Sequence, residues 1–359
     1  MAALVALASG IALGAAPQER RAARVEVSLA ALLPLPRLAG ERMVAGVSGT
    51  SVSPQLRAAI HAGRLAGVVL FAENFPSRAA GRQLVRQLQA IPRPRGLRTP
   101  LLVMVDQEGG QVARLSGPPD ASAQVMGERG AAYSRRQGRL TAANLRQVGI
   151  GVDLAPVLDV GRPGGVIAAT ERSFGSSAAR VAATAVPFAR GLEAGGVIAT
   201  AKHFPGLGAA SENTDFAVQR IELSKARLRA VDEAPYAAYI AAGGRMVMLS
   251  TAIYPAFSEV PAAFTRAIAT GELRRRLGFR GVSITDALET AAVDAFGGPG
   301  AAGVAAARAG ADLLLFTDLE GAEAARHALV AKLRAGKLDG AEFAAAAERV
   351  LDLRAQLPR

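Results

Sequence analysis

The amino-acid sequence predicts a single α/β domain folded as a TIM-type (β/α)₈ barrel. Short, almost wholly apolar segments alternate with longer stretches rich in Ala, Leu and Arg, and the chain contains eight such units. Apolar strands alternating with amphipathic helices are typical of a parallel sheet covered on both faces, and eight repeats match the barrel. A doubly wound open sheet is the alternative, but no Gly-x-Gly-x-x-Gly motif follows the first predicted strand.

The predicted elements follow one another at regular intervals. The eight strands are expected at residues 43–47, 67–71, 101–105, 150–154, 197–201, 246–249, 282–285 and 313–316. The helices predicted between them include 78–90, 179–194, 225–241 and 300–309. A last helix, at 340–357, is expected to close the barrel.

Composition excludes several classes of function. The chain of 359 residues has no cysteine, so disulfides, thiolate catalysis and cysteine-ligated metals are excluded. The net charge is +12, but the arginines are scattered, aromatic residues make up only 4% and tryptophan is absent. Nucleic-acid binding needs a basic patch or a stacking surface, so we expect no nucleic-acid partner.

The first 17 residues are nearly all small or apolar, as in the hydrophobic region of an export signal, although a positively charged start is missing. The run is too short to span a bilayer comfortably. We therefore predict an apolar leader and linker at 1–37, followed by the barrel at 38–359. The leader implies export or association with the cell envelope, with no other membrane insertion; a leader without function implies a cytoplasmic protein.

Charged and imidazole groups cluster where four of the predicted strands end. Asp106 follows strand three, Asp159 lies just after strand four, Lys202 and His203 follow strand five, and Asp286 follows strand seven. A single Asp is often only a helix cap. In a barrel, however, the carboxyl ends of all strands meet at one rim, where active sites lie. Several such residues together therefore predict a functional site.

The residue types suit the cleavage of a sugar. Long donors and acceptors grip hydroxyl groups, and those expected at the rim are Asp106, Arg114, Arg172, Lys202 and His203. Glycoside cleavage needs a carboxylate at one face of the sugar and a proton donor near the leaving oxygen. Asp286 fits the first role as a nucleophile, kept ionised by its basic neighbours. The loop at 208–215 is expected to supply the donor.

Five motifs then make a family recognisable. They are Asp-Gln-Glu-Gly-Gly-x-Val-x-Arg (106–114), Ala-Pro-Val-Leu-Asp-Val (155–160), Glu-Arg-Ser-Phe-Gly (171–175), Lys-His-Phe-Pro-Gly (202–206) and Gly-Phe-x-Gly-Val-x-x-x-Asp (278–286). Together they resemble glycoside hydrolase family 3, in its single-barrel β-N-acetylglucosaminidase branch.

The resemblance implies that Asp286 is the nucleophile. It also implies that the gripping residues Asp106, Arg114, Arg172, Lys202 and His203 bind a terminal N-acetylglucosamine. Peptidoglycan fragments or related β-N-acetylglucosaminides are then the expected substrates. No metal or organic cofactor is implied. We expect a monomer with a carbohydrate substrate as its partner.

The loop after strand five departs from the family pattern. In the branch that the chain resembles, this loop reads Gly-His-Gly and then Asp-Ser-His, and the last His is the general acid/base. Here the corresponding positions hold Leu207, Asn213 and Asp215. Asp215 is the first candidate to replace that His, and Glu212 is the second. Two alternatives stay open: a barrel that binds sugar without turnover, and a glycosidase of changed sugar specificity.

Two further acidic residues are expected to orient the arginines of the site. Asp159 and Glu171 lie in the motifs that surround Arg172. A carboxylate paired with a guanidinium fixes the direction of its hydrogen bonds. We expect this indirect role of Asp159 and Glu171 rather than direct contact with a sugar.

Overall fold

The computed structural model describes residues 29–357, and the predicted leader at residues 1–17 lies outside them. Eight strands form the main sheet: β1 (Met43–Gly46), β2 (Gly67–Leu70), β3 (Leu102–Val105), β4 (Val152–Asp153), β5 (Ile198–Phe204), β6 (Met246–Leu249), β7 (Val282–Thr285) and β8 (Leu314–Phe316). The α-helices are Leu35–Gly40, Pro54–His61, Arg78–Gln89, Ala123–Arg129, Ala131–Val148, Val166–Ala169, Ala178–Ala194, Lys225–Arg227, Ala234–Ala241, Ala291–Asp294, Gly298–Ala309, Leu319–Arg334 and Gly340–Ala355.

The strands run parallel in the order β8-β1-β2-β3-β4-β5-β6-β7. A parallel bridge between Ile284 and Leu313 brings β7 next to β8, so the sheet is a nearly closed barrel. Each strand joins the next through a helical connection, as parallel neighbours require. The predicted (β/α)₈ barrel is confirmed.

Local sequence signals explain where many of the helices begin. In the described chain, seven helices start after a residue whose side-chain oxygen accepts a hydrogen bond from a backbone N–H of the first turn: Ser53, Ser77, Ser122, Ser177, Ser224, Asp318 and Asp339. Such caps satisfy donors that have no partner within the helix. The local sequence therefore specifies the residue at which each of these helices begins.

The final helix closes the N-terminal end of the barrel, as predicted. Its side chains Val350 and Leu353, together with Leu357 just after the helix, pack with the apolar residues that point into the barrel, such as Val152 and Ile198. Apolar side chains of alternate strand positions fill the interior of a barrel in layers. The helix therefore seals these layers from water and leaves only the opposite end of the barrel open.

Three local features differ from the sequence prediction. Strand β5 continues through Phe204, so Lys202 and His203 lie within the strand rather than after it. A small antiparallel hairpin, Gln107–Gly109 with Val112–Ala113, follows β3. The helix expected at 225–241 contains a π-helical turn at Leu228–Asp232, and a second π-helical stretch lies at Ala267–Arg276. Within residues 29–357, no helix has the length and apolar character needed to cross a bilayer.

The sealed end of the barrel contains a buried ion pair whose loss we expect to destabilise the fold. Arg354 of the final helix pairs with Glu41, and both residues are at most 1% exposed. Arg354 also donates hydrogen bonds to the carbonyls of Thr99 and Pro100, at 3.0 Å each. Arg354→Ala would leave a buried carboxylate without a partner, and we expect a loss of about 3–5 kcal/mol in the free energy of unfolding.

Urea denaturation at neutral pH measures this loss. Arg334→Ala, at an exposed position near the end of Leu319–Arg334, is the matched control; we expect it to change stability by less than about 0.5 kcal/mol. Equal, small losses for both variants would contradict a stabilising role for the buried pair.

Candidate active site

A polar cavity of about 310 Å³ opens at the carboxyl ends of the strands. It is lined by all seven residues that the sequence predicts for the site: Asp106, Arg114, Arg172, Lys202, His203, Asp215 and Asp286. They come from the ends of β3, β5 and β7, from the segment after β3 that carries Arg114, and from the loops after β4 and β5. The barrel therefore brings together groups that lie up to 180 positions apart in the sequence.

Lys202 is the centre of the charged network in this cavity. Its ammonium nitrogen lies 2.6 Å from Asp106 Oδ1 and 2.7 Å from Glu108 Oε1. Glu108 also accepts two hydrogen bonds from Arg172, at Nε and Nη2, both 2.8 Å long. On the other side, Arg114 Nη2 lies 3.8 Å from Asp106 Oδ2. Three cations and two carboxylates thus form one chain of contacts along one side of the cavity.

The two buried groups at its centre hold each other in their charged forms. Burial raises the pKa of Glu108, but Arg172 and Lys202 together outweigh burial and hold this pKa well below its usual range. Burial lowers the pKa of Lys202, and Asp106 and Glu108 more than offset it, so the pKa lies above the usual value. The network therefore presents fixed charges at neutral pH.

The imidazole of His203 is held by the carboxylate of Asp159. Asp159 Oδ2 lies 2.7 Å from Nδ1 of the imidazole, and its Oδ1 accepts hydrogen bonds from the backbone N–H groups of His203 and Leu207, at 3.1 and 2.7 Å. A carboxylate at Nδ1 keeps the proton there and leaves Nε2 for the cavity. The prediction that Asp159 and Glu171 orient the arginines is wrong, because Arg172 pairs with Glu108 and Asp159 binds His203. Glu171 is exposed and forms no ion pair within the described chain.

Asp286 follows β7 directly and is partly buried beneath the cavity. Its backbone N–H donates to Leu249 O of β6 at 2.9 Å, and its Oδ1 accepts from Ala287 N–H at 2.9 Å. Burial raises the pKa of Asp286; His203 lowers it and Asp215 raises it, and the net direction is upward. The expected lowering by basic neighbours is present, but burial and the nearby Asp215 outweigh it.

Asp215 reaches the cavity on the loop after β5. Its Oδ2 accepts a hydrogen bond of 3.0 Å from the side-chain amide of Asn213. Its backbone carbonyl accepts from the N–H of Ala291, the first residue of the helix Ala291–Asp294, at 3.4 Å. Glu212, the second candidate donor, is exposed like Asp215, but it does not line the cavity, whereas Asn213 and Asp215 do.

The hairpin after β3 contains Glu108 and sets the position of Arg114. Gly109 and Gly110 have φ angles of +94° and +58°, which glycine adopts without strain, and they make the tight turn. The Gln107 side chain accepts from the backbone N–H of Arg114 at 2.9 Å, and Asp153 Oδ1 accepts from Gln107 N–H at 3.0 Å. The position of Arg114 is thus set through Gln107.

Sequence reasoning missed several residues that line the cavity, among them the polar Glu108, Glu289 and Thr317. A signal existed for Glu108, because residues two apart in an extended segment point to the same side, and Asp106 had already been assigned to the site. No comparable signal exists for Glu289 and Thr317. They meet only because β7 and β8 end side by side.

Comparison with known proteins identifies the family. Residues 38–353 match the N-terminal domain of glycosyl hydrolase family 3. The chain belongs to glycoside hydrolase family 3. The predicted family is therefore confirmed, and with it the prediction of a glycoside hydrolase.

Relatives of this glycoside hydrolase include an uncharacterised secreted glycosyl hydrolase of Arthroderma benhamiae. It is 36% identical over 329 residues, which cover 89% of the chain and 93% of the relative. A β-hexosaminidase of Stenotrophomonas maltophilia is 37% identical over 298 residues, covering 80% of the chain and 86% of the relative.

Two solved structures show the same fold. A family 3 β-N-acetylglucosaminidase from a Paenibacillus species superimposes with a TM-score of 0.85 and 33% identity, over 90% of this chain and 62% of the longer Paenibacillus chain. A β-N-acetylhexosaminidase of Beutenbergia cavernae superimposes with a TM-score of 0.81 and 34% identity, over 90% of this chain and 98% of that one.

Glu108 provides a test of the charged network. Glu108→Gln would leave Arg172 and Lys202 with an uncharged partner, and we expect a loss of about 3–5 kcal/mol in unfolding free energy at neutral pH. The folded-state pKa is depressed, so the stabilisation by Glu108 is complete above the unfolded pKa near 4.5 and declines as the pH falls below it. The difference between wild type and variant should therefore shrink on acidification.

Denaturation curves at several pH values measure this difference. The exposed Glu320→Gln is the matched control and should change stability little at any pH. A difference between wild type and Glu108→Gln that grew below pH 4.5 would contradict the assigned charge states.

Proposed function

We propose that this family 3 hydrolase is a retaining β-N-acetylglucosaminidase that removes terminal β-N-acetylglucosamine from cell-envelope fragments. The observation that carries the proposal is the meeting of Asp286, Asp215 and the charged network in one cavity. The names of the Stenotrophomonas and Paenibacillus relatives support the choice of sugar. The cavity, about 310 Å³ in volume, is at the small end of ligand sites, which favours one terminal sugar over an internal stretch of polymer.

The charged network around Lys202 would bind the end of the sugar ring that lies opposite the anomeric carbon. Lys202 and Arg114 can donate to hydroxyl oxygens, and Asp106 can accept from hydroxyl hydrogens. Arg172 and the free Nε2 of His203 complete the set of polar groups on this side. Each donor or acceptor is already held by a neighbouring charge, so little reorganisation is needed when the sugar arrives.

Asp286 would be the nucleophile. Its ionised carboxylate attacks the anomeric carbon, the bond from that carbon to the leaving oxygen breaks, and a glycosyl ester forms. Asp215 would act as the general acid and give its proton to the leaving oxygen. In the second step Asp215 takes a proton from water, the water oxygen attacks the anomeric carbon, and Asp286 is released as a carboxylate.

The two carboxyls lie close enough to interact electrostatically. Asp215 is near enough to raise the pKa of Asp286. Two interacting carboxyls lose their protons in steps that belong to the pair. The first step requires Asp286 to be ionised while Asp215 carries the proton.

We further propose that the barrel spans residues 38–359 and that residues 1–37 act as an export leader and linker. The name of the Arthroderma relative, a secreted glycosyl hydrolase, supports export. We also propose that the protein acts as a monomer, because all seven site residues belong to one chain.

Removal of the nucleophile is the direct test. Asp286→Asn should abolish hydrolysis of an aryl β-N-acetylglucosaminide, because the amide cannot form the glycosyl ester. Wild-type enzyme treated with an activated fluorosugar should carry a covalent adduct on Asp286, located by peptide mass spectrometry. An adduct on another residue, or full activity in the folded variant, would contradict the proposed role.

The replacement of the usual His by Asp215 favours one competing function, a barrel that binds sugar without turnover. Calorimetric titration with N-acetylglucosamine separates the two. Saturable binding that is lost in Lys202→Ala, without hydrolysis of any aryl glycoside by wild-type protein, would support the binding function and refute the enzyme.

The proposed role of Asp215 as general acid predicts a dependence of the activity on the leaving group. Asp215→Asn should reduce kcat/KM severely for substrates with a poor leaving group and much less for a dinitrophenyl glycoside, whose departure needs no proton. Asp286 must be ionised to attack, and its pKa is raised above the usual 3.8. On acidification, activity should therefore begin to fall at a pH higher than 3.8. Because Asp215 contributes to this rise, the acidic limb for the dinitrophenyl substrate should move to lower pH in the variant.

Glu212→Gln is the matched control and should leave both the leaving-group dependence and the pH profile unchanged. Equal loss on good and poor leaving groups in Asp215→Asn would contradict a role in proton donation.

A further inference from the structure

Glu289 lines the active-site cavity but has no part in the mechanism above. It lies three residues after Asp286, in the loop that follows β7. Thr317, just after β8, donates to Glu289 Oε2 from its hydroxyl at 2.8 Å and from its backbone N–H. A carboxyl group and a hydroxyl group are thus fixed together at the β7–β8 edge of the cavity.

The pKa of Glu289, like that of Asp286, is raised. Burial raises it, the two bonds from Thr317 lower it, and the nearby Asp318 raises it again through repulsion and a hydrogen bond; the net direction is upward. Within the described chain, Glu289 accepts hydrogen bonds from Thr317 and forms no ion pair with an arginine or lysine, so its carboxyl can also bind a ligand.

The barrel determines which part of a substrate would reach this edge. The gripping residues stand on β3 to β5 and on the loop after β4, whereas Asp286 stands on β7, across the eight-stranded barrel from β3. In a pyranose ring, the anomeric carbon and the carbon that carries the 4-hydroxyl lie at opposite ends. A sugar gripped from β3 to β5 with its anomeric carbon over Asp286 therefore directs its leaving group past β7, where the loop that carries Glu289 begins.

We propose that Glu289 and Thr317 form the subsite for the leaving group and that Glu289 hydrogen-bonds a hydroxyl of the released sugar. The proposal rests on the function proposed above. A subsite built from a carboxyl and a hydroxyl favours a hydroxylated leaving group, a second sugar, over an aryl one. Glu289 is then a specificity-determining residue of the reaction.

The test compares two substrates with the same terminal sugar. Glu289→Gln and Glu289→Ala are assayed with a β-1,4-linked N-acetylglucosamine disaccharide and with an aryl β-N-acetylglucosaminide. A hydrogen bond to a carboxyl group of this kind is worth about 10- to 100-fold. The ratio of kcat/KM for the disaccharide to that for the aryl substrate should therefore fall by about this factor in the Ala variant and less in the Gln variant.

Gly321 offers a second route that leaves the carboxyl in place. A Cβ at this position would lie 1.7 Å from Glu289 Oε1 and 2.6 Å from Glu289 Cδ, so Gly321→Ala must displace the side chain. The same ratio should fall, by a smaller factor. Gly340→Ala is the matched control near another helix start, because a Cβ there meets nothing within 4 Å, and it should leave the ratio unchanged.

The outcomes distinguish the two proposals. An unchanged ratio in folded Glu289→Ala, or equal loss on both substrates, would overturn the subsite and leave the glycosidase intact. Failure of wild-type enzyme to hydrolyse either substrate would instead overturn the proposed function. Circular dichroism and thermal unfolding establish that each variant is folded.

Discussion

The site depends on a lysine ammonium that is buried between two carboxylates. Lys202 comes from β5, whereas Asp106 and Glu108 come from the segment after β3. Isolated, each of these charges would be costly to remove from water; together they satisfy one another. The same contacts hold Arg172 through Glu108. One buried cation therefore links two strand ends and orients the donors around them.

This arrangement divides the cavity into two regions of different electrostatic character. On the side of β3 to β5, cations stabilise carboxylates and lower the pKa of Glu108. At β7, burial and the nearby Asp215 dominate, and the pKa of Asp286 rises. A nucleophile needs ionisation and a donor needs a proton, so carboxyls with different surroundings can serve different roles within one cavity. The fold separates Glu108 from Asp286 by placing one after β3 and the other after β7.

The loop after β5 carries Asp215 on a backbone that is held at two points. Asp159 holds the base of this loop through His203 and the N–H of Leu207. The tip carries Asp215 to the edge of the cavity, where Ala291 binds its backbone. Because both ends of the path are held, the backbone fixes the place of the side chain at position 215. Function on this fold is thus decided by loop residues rather than by the barrel.

The barrel and seven residues of its cavity could be predicted from the amino-acid sequence. Alternating apolar strands and amphipathic helices encode burial locally, and charged residues at the strand ends must then meet at one rim. The pairing of these groups with one another could not be predicted in this way. Glu108 and Arg172 are 64 positions apart, and Asp159 serves His203 instead of an arginine. Glu289 meets Thr317 because β7 and β8 are neighbours. Such pairings depend on strand register and side-chain direction across the barrel, which no local pattern records.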